Sequence, residues 1–462
     1  MVTSQEIELT PAANAQAHGL TTPSETEEQP EHEAPQDAFA DARPTKRYQT
    51  LLLLSGFIMI FNVIGINSIF GVFQEYYTSA DSNIPDAIGQ DALVSLAGTV
   101  GAGLTWAGSI FVNPWMARIR DVRIITVLGV IIMSLGIFLA SFNTKLWHLY
   151  MTQSILYGVG SSMYYFPIIS LTPVYFDAHR GFAMGFILAG SGAGGLALAP
   201  VLNALITKSG IKLALRVLGI WNLVVGLPVA CVIRKRQGFG RGATGVGLGL
   251  VKRGTFLYQS GGAFLQAAGN FVPMYYMTTY STSILGYSAS SASLVLALNN
   301  AVNSISRISM GILADKVGRQ NTMIASVLLS ALSVLALWYD APRARFLAFS
   351  VLYGTYAGGY NALLPTTITD VFGVQNYAAV NGVIYFLRGI GTLFGAPVAG
   401  IILGSHTRSA SVAGMLGSSM DLRKRYNEVV LFDFALLFAA AVCVAYVRWL
   451  DARDKGRWVW KA

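Results

Sequence analysis

Three ionisable side chains interrupt long apolar runs in this 462-residue chain: Arg307, Arg388 and Asp433. A charge at the centre of a membrane helix costs about 2.5–3.5 kcal/mol on insertion scales, so such a residue marks a solute pathway or a buried ion pair. A guanidinium donates two parallel hydrogen bonds to a carboxylate, which makes Arg307 and Arg388 candidate binders of an anionic solute. The plainer reading of each is a structural ion-pair partner. Asp433, and Glu75 near the end of the first apolar run, are the candidates for carrying a proton. Polar and aromatic residues could line a cavity between the runs: Asn62, Asn67, Tyr164, Tyr165, Asn222, Asn270, Tyr275, Asn299, Asn300, Asn303, Tyr360 and Asn361. Such walls suit a larger metabolite with rings and hydroxyls, because they offer flat contact and hydrogen bonds. Taken singly, each is more readily explained by a hydrogen bond between helices.

The elements that must position these residues are membrane helices. Hydrophobic residues make up 53% of the chain and charged residues 12%, against about 25% charged in a soluble protein. Mean hydropathy is +0.52. A helix needs about 20 apolar residues to cross a bilayer. Twelve stretches meet that length, near 49–72, 92–112, 123–142, 148–170, 181–206, 213–233, 255–278, 290–313, 321–339, 346–368, 380–404 and 429–449. They repeat. Leu156-Tyr157-Gly158 returns as Leu352-Tyr353-Gly354, and Gly185, Gly194 and Pro200 return as Gly382, Gly391 and Pro397, 196 to 197 residues later. That period is too long for a solenoid unit and fits a duplicated bundle, the architecture of many transporters. The expected fold is all-α and integral to the membrane, with two pseudo-symmetric six-helix halves at 48–233 and 255–450.

Charge divides the rest of the chain. Residues 1–47 hold nine acids and three bases, a net −6, which leaves +15 on the remainder. The segment is rich in Pro, Glu, Gln and Thr, lacks an aliphatic run, and reads as a disordered acidic tail. Basic residues cluster in the loops on one side of the bundle, which places both termini, including the end at 451–462, in the cytoplasm. They set orientation, so no nucleic-acid partner is expected. Arg423-Lys424-Arg425 violates the pattern from the opposite side. The linker at 234–254 contains Gly240-Arg241-Gly242-Ala243-Thr244-Gly245, which fits G-x-G-x-x-G. It lacks the preceding strand that a dinucleotide site requires, and reads as a flexible joint. With no Ser/His/Asp or Cys/His arrangement and no metal-ligand cluster, neither an enzyme nor a cofactor is expected. Cys231 and Cys443 lie inside spans and read as small apolar filler.

Gly311-Ile-Leu-Ala-Asp315-Lys316-Val-Gly318-Arg319 resembles the signature loop of the major facilitator superfamily. Asp315 can pair with basic residues of a neighbouring helix and Gly318 permits the turn, so Asp315, Gly318 and Arg319 are the candidate gating loop. The matching loop of the first half is degraded, with Arg118 where the acid would stand. Gly65-Ile-Asn67-Ser68-Ile-Phe-Gly71, the Tyr175-Phe176 string through Ala183-Met-Gly185, and Asn300-Ala301 followed by Arg307 resemble the monocarboxylate-porter-like branch, particularly its fungal members. The resemblance implies that Arg307 meets a substrate carboxylate. It does not carry over proton coupling. Where animal proton-linked members have a lysine and an aspartate, this chain has Asn67 and Asn303, which do not titrate. The expected function is alternating-access transport of a small organic solute, a carboxylate-bearing or secondary metabolite, with efflux one of the two directions the sequence leaves open. Proton-coupled monocarboxylate uptake is one alternative, and a nutrient sensor with little flux is another. The expected partners are a small-molecule substrate and the bilayer, the expected state is a monomer, and the expected location is the plasma membrane.

Overall fold

The computed structural model describes residues 45–176, 180–234, 248–373, 376–404 and 415–456. The acidic tail, most of the 234–254 linker with its glycine string, and the last six residues lie outside the described residues. Within them the chain forms twelve spans. They are α1 (Lys46–Ser68 continued by Phe70–Thr78), α2 (Asp91–Ala107 continued by Ser109–Arg118), α3 (Arg123–Ala140) and α4 (Leu146–Leu149, a π-helical Tyr150–Leu156, then Tyr157–Tyr175). The helical run Arg180–Ala230 is two spans, α5 (180–209) and α6 (211–230), because Gly210 at φ 80° turns the chain between them. The second half comprises α7 (Gly254–Ser283), α8 (Ala289–Val317), α9 (Arg319–Ser333 with a π-helical Val334–Trp338) and α10 (Arg343–Phe372). It closes with α11 (Tyr377–Thr392 and Gly395–Leu403) and α12 (Met415–Asp454).

Among the described residues, seven stretches are long and apolar enough to cross a membrane on composition alone, and one of them, Phe182–Ala230, holds two crossings. The four remaining spans are α4, α7, α8 and α10. They are more polar, and they carry Tyr165, Asn270, Arg307 and Asn361. A span that faces a cavity must give up apolar residues, so low hydropathy here is a mark of position.

The sequence repeat is also a repeat of contacts. Tyr157 of α4 donates its hydroxyl to the Val63 carbonyl of α1 at 2.7 Å, and Tyr353 of α10 donates to the Asn270 carbonyl of α7 at 3.4 Å. A Cβ on Gly158 would lie 2.8 Å from the Gly101 carbonyl oxygen, and one on Gly354 would lie 2.6 Å from that of Asn299. The halves meet along two crossed pairs, α5 against α8 and α11 against α2. Glycine permits the approach in both: a Cβ on Gly185 would sit 2.8 Å from the Arg307 carbonyl oxygen, and one on Gly389 would sit 2.5 Å from that of Gly103. Side-chain hydroxyls then bond across the gap, from Ser304 to the Ala189 carbonyl at 2.6 Å and from Ser109 to the Gly382 carbonyl at 2.7 Å.

The basic cluster at the start of α12 has a partner set. Helix α12 begins at Met415, well before the apolar run that marks the span. Arg423 pairs with Asp340 of the α9–α10 turn at 2.5 Å, and Arg425 reaches Asp421 at 3.4 Å and the Leu403 carbonyl at 3.3 Å. The cluster fastens the ends of α9, α11 and α12, which explains its departure from the loop-charge pattern.

Candidate functional site

A cavity lies between the two halves. Asn67 and Ser68 of α1, Trp106 of α2, Tyr165 of α4 and Leu188 of α5 line it from the first half. Asn270, Phe271 and Met274 of α7, Arg307 of α8, Asn361 of α10, and Tyr385 and Arg388 of α11 line it from the second. Of the residues expected from sequence to line a pathway, Asn67, Tyr165, Asn270, Arg307, Asn361 and Arg388 therefore share one space. Asn303 stands behind it. Its Oδ1 accepts from Arg307 Nε at 2.9 Å, one helical turn along α8.

Arg307 is 5% exposed and Arg388 is 2% exposed. Arg307 also donates from Nη1 to the Leu188 carbonyl of α5 at 2.9 Å, and Gly358 of α10 leaves room for its stem, since a Cβ there would lie 3.1 Å from Arg307 Cγ. Arg388 donates from Nη2 to Asn361 Oδ1. Its guanidinium lies 4.2 Å from the Trp106 ring centroid, with the Tyr360 and Tyr385 rings at 5.7 and 5.8 Å. A desolvated cation over such rings gains about 2 kcal/mol. Among the described residues neither arginine has a carboxylate partner: every bond either makes goes to an amide or a carbonyl oxygen. Neutral acceptors hold the two groups in place and leave both positive charges uncompensated, beside a cavity with aromatic walls. Chemically that is a seat for a planar anion.

Several residues expected to line a cavity lie elsewhere. Tyr164 precedes Tyr165 and so points about 100° away from it around the helix; its hydroxyl reaches the Gly226 carbonyl of α6 at 3.5 Å. Asn222 donates to Ser134 at 2.7 Å between α6 and α3. Both make the interhelical bonds that are the plainer role for polar residues in a bundle. Sequence reading did not single out Trp106, Phe271, Met274 or Tyr385. Only Tyr385 had a local signal, three residues before Arg388 on one helix face.

The gating-loop residues sit together at the end of α8. Gly318 adopts φ 112°, a conformation that glycine takes without strain. Asp315 meets Arg319 at 3.4 Å, and Arg319 in turn grips both carboxylate oxygens of Asp370, at 2.8 and 2.9 Å. The expectation was a basic partner for Asp315 on a neighbouring helix. The structure supplies Arg319, at the start of the next helix, and adds an acid from the end of α10. Of the two carboxylates considered for proton transfer, Glu75 is half-buried on the second segment of α1, away from the cavity. Asp433 is fully buried in α12, and neither of its oxygens has a hydrogen-bond partner among the described residues.

The family model for the Major Facilitator Superfamily matches residues 52–257 and 259–457. The chain is 27% identical over 364 residues to an agnestins efflux protein of Paecilomyces divaricatus, covering 76% of this chain and 80% of that one. An aspyridones efflux protein of Emericella nidulans is 26% identical over 389 residues, with 83% and 75% covered. A monocarboxylate transporter 12-B of Danio rerio is 28% identical over 344 residues, with 65% and 72% covered. Among solved structures, an inward-facing, occupied bacterial homolog of the human lysosomal transporter Spinster superposes with a TM-score of 0.62 at 19% identity, covering 90% of this chain and 99% of that one. That likeness is one of fold. With the family model spanning both halves of a twelve-helix bundle, the chain belongs to the Major Facilitator Superfamily.

Proposed function

We propose that this multi-pass membrane transporter exports an organic anion, a carboxylate-bearing secondary metabolite with an aromatic or otherwise planar core. The observation that carries the reading is the pair Arg307 and Arg388, two buried guanidinium groups on one cavity with no carboxylate partner for either among the described residues. In a low-dielectric site uncompensated charges attract an anion far more strongly than in water. Trp106, Tyr165, Phe271 and Tyr385 give the same cavity flat apolar walls. Fungal relatives named as efflux proteins support the direction. The excess of Lys and Arg in the loops on the terminal side supports cytoplasmic termini, and plasma membrane is the location that fits export. The animal monocarboxylate relative favours a second reading, uptake of a smaller monocarboxylate.

The test uses purified full-length chain in liposomes, offered radiolabelled small monocarboxylates and larger aromatic carboxylates. Flux of the aromatic class, reduced at least about tenfold when Arg307 and Arg388 are both changed to Gln, is the expected result, since tenfold corresponds to about 1.4 kcal/mol of lost binding. Unchanged anion flux in the double variant would remove the electrostatic basis of the reading. Flux of the small acids alone would favour uptake.

A further inference from the structure

We propose that Asp433 is the proton-binding site of the transport cycle, placed behind α7 in helix α12 and coupled to the central cavity through Tyr353 and Asn270. The proposal takes the transport reading as given and adds its energy source.

Asp433 is 0% exposed, and both of its carboxylate oxygens lack a hydrogen-bond partner among the described residues. A lone ionised carboxylate in such a place costs several kcal/mol, well above the cost of the neutral acid. The arrangement described therefore holds the acid form, and ionisation requires water or a donor to reach it. The groups around it define the route. From α7, Gly269 presses on it so closely that a Cβ there would lie 3.1 Å from Asp433 Oδ1. From α10, Tyr353 is within electrostatic reach. Among the described residues Asp433 has no hydrogen-bond partner on either oxygen, and Tyr353 is a titratable neighbour.

Tyr353 donates its hydroxyl to the carbonyl of Asn270, the residue after Gly269. Asn270 lines the central cavity with Arg307 and Arg388. It also lines a smaller cavity behind α7, shared with Gln266, Ser330, Tyr353 and Tyr360. Gln266 Oε1 and the Tyr360 hydroxyl there are buried without partners among the described residues, and the space between them has no room for a water in this arrangement, so water reaches them only when α7 moves. The contact at Gly269 thus ties the two events together. When α7 shifts against α12 in one state of the cycle, water from one side of the membrane enters behind it and takes the Asp433 proton. In the opposite state the site closes only after a proton has been taken up from the water of the other side, so that one proton crosses per cycle. Neither Asn67 nor Asn303, which line or back the central cavity, can perform this step.

The test uses the full chain in proteoliposomes with radiolabelled p-toluenesulfonate as the probe, an anion that stays ionised and does not cross lipid. Wild type is expected to accumulate the probe against its gradient when a proton gradient is imposed. Asp433→Asn is expected to fall to the level of gradient-free vesicles while probe-for-probe exchange stays within about twofold of wild type. Driven accumulation in Asp433→Asn equal to wild type would overturn the proposal. If wild type does not carry this probe, the anion reading loses support while infrared difference spectra of the same vesicles decide on Asp433 directly. A protonated-carboxyl carbonyl band at neutral pH that vanishes in Asp433→Asn and fades at alkaline pH upholds the site. Absence of the band in wild type overturns it.

Discussion

Arg307 and Asn303 form the pair in which one atom decides the electrostatics of the cavity. The Asn303 amide oxygen orients the guanidinium at 2.9 Å without cancelling its charge. Asn303→Asp would keep the hydrogen bond and add the missing counter-charge. At neutral pH the new carboxylate would pair with Arg307, and affinity for an anionic substrate is expected to fall about tenfold, or about 1.4 kcal/mol. The sign with pH follows: as pH falls and the introduced carboxyl takes up a proton, Arg307 is released and affinity returns. Binding curves at two pH values, with wild type as control, check both parts. A variant with wild-type affinity at neutral pH would show that Arg307 does not meet the anion. Arg388 differs in kind. Its charge is held over Trp106 by ring contacts, which a lysine, lacking the planar fork, would not reproduce.

At the scale of elements, glycine sets how closely the halves approach. Gly389 on α11 and Gly192 on α5 occupy matching places in the two crossed contacts. A side chain on Gly389 would meet the Gly103 carbonyl and the Ala107 amide at 2.5 Å, and one on Gly192 would meet the Asn300 carbonyl. Gly261 on α7 has nothing within 4 Å of where its Cβ would be. Gly389→Ala is expected to lose about 1–3 kcal/mol by overpacking, whereas Gly261→Ala is expected to be neutral or slightly stabilising. Thermal unfolding of the two variants in detergent, side by side, measures the difference. Equal melting temperatures would mean that α2 and α11 part without cost. Within each half the repeated glycines Gly194 and Gly391 do the same for the first helix: a Cβ would lie 2.4 Å from the Phe61 carbonyl of α1 and 2.3 Å from the Phe264 carbonyl of α7. Cavity residues are free to diverge, and Ser191 in one half stands where Arg388 does in the other.

For the whole molecule, the question is which face is closed. On the face away from the termini, α1 and α7 touch: a Cβ on Gly71 would lie 3.1 Å from the Thr278 hydroxyl and 3.0 Å from the Met274 carbonyl, and the Phe70 and Tyr275 rings are 5.3 Å apart. A transporter that alternates must break this contact once per cycle. With Cys231 and Cys443 replaced, Gly71→Cys with Thr278→Cys is expected to form a disulfide under mild oxidation and stop transport, with recovery on reduction. Full transport by the oxidised double variant, verified as cross-linked by mass, would show that the face does not open at this point.

Much of this was legible in the chain. Apolar runs marked out the twelve crossings, although α4, α7, α8 and α10 are too polar to qualify on composition alone, and the 196-residue repeat pointed to their division into halves. The rarity of charge in those crossings picked out Arg307, Arg388 and Asp433, since a burial cost that large leaves few such residues in place. The sequence could not say which of them share a cavity. Arg307 and Arg388 come together from α8 and α11, while Asp433 stands apart behind α7, and that separation depends on the packing of helices distant in the chain. Tyr164 and Tyr165 show the same limit at one residue's distance, where helix rotation alone turns one hydroxyl toward α6 and the other toward the cavity. Trp106 belongs to the site only because α2 crosses α11 beside Arg388. Composition and period act along the chain and so determine how many helices there are and how they repeat. Which faces meet is a property of packing in three dimensions, and only the tertiary structure decided it.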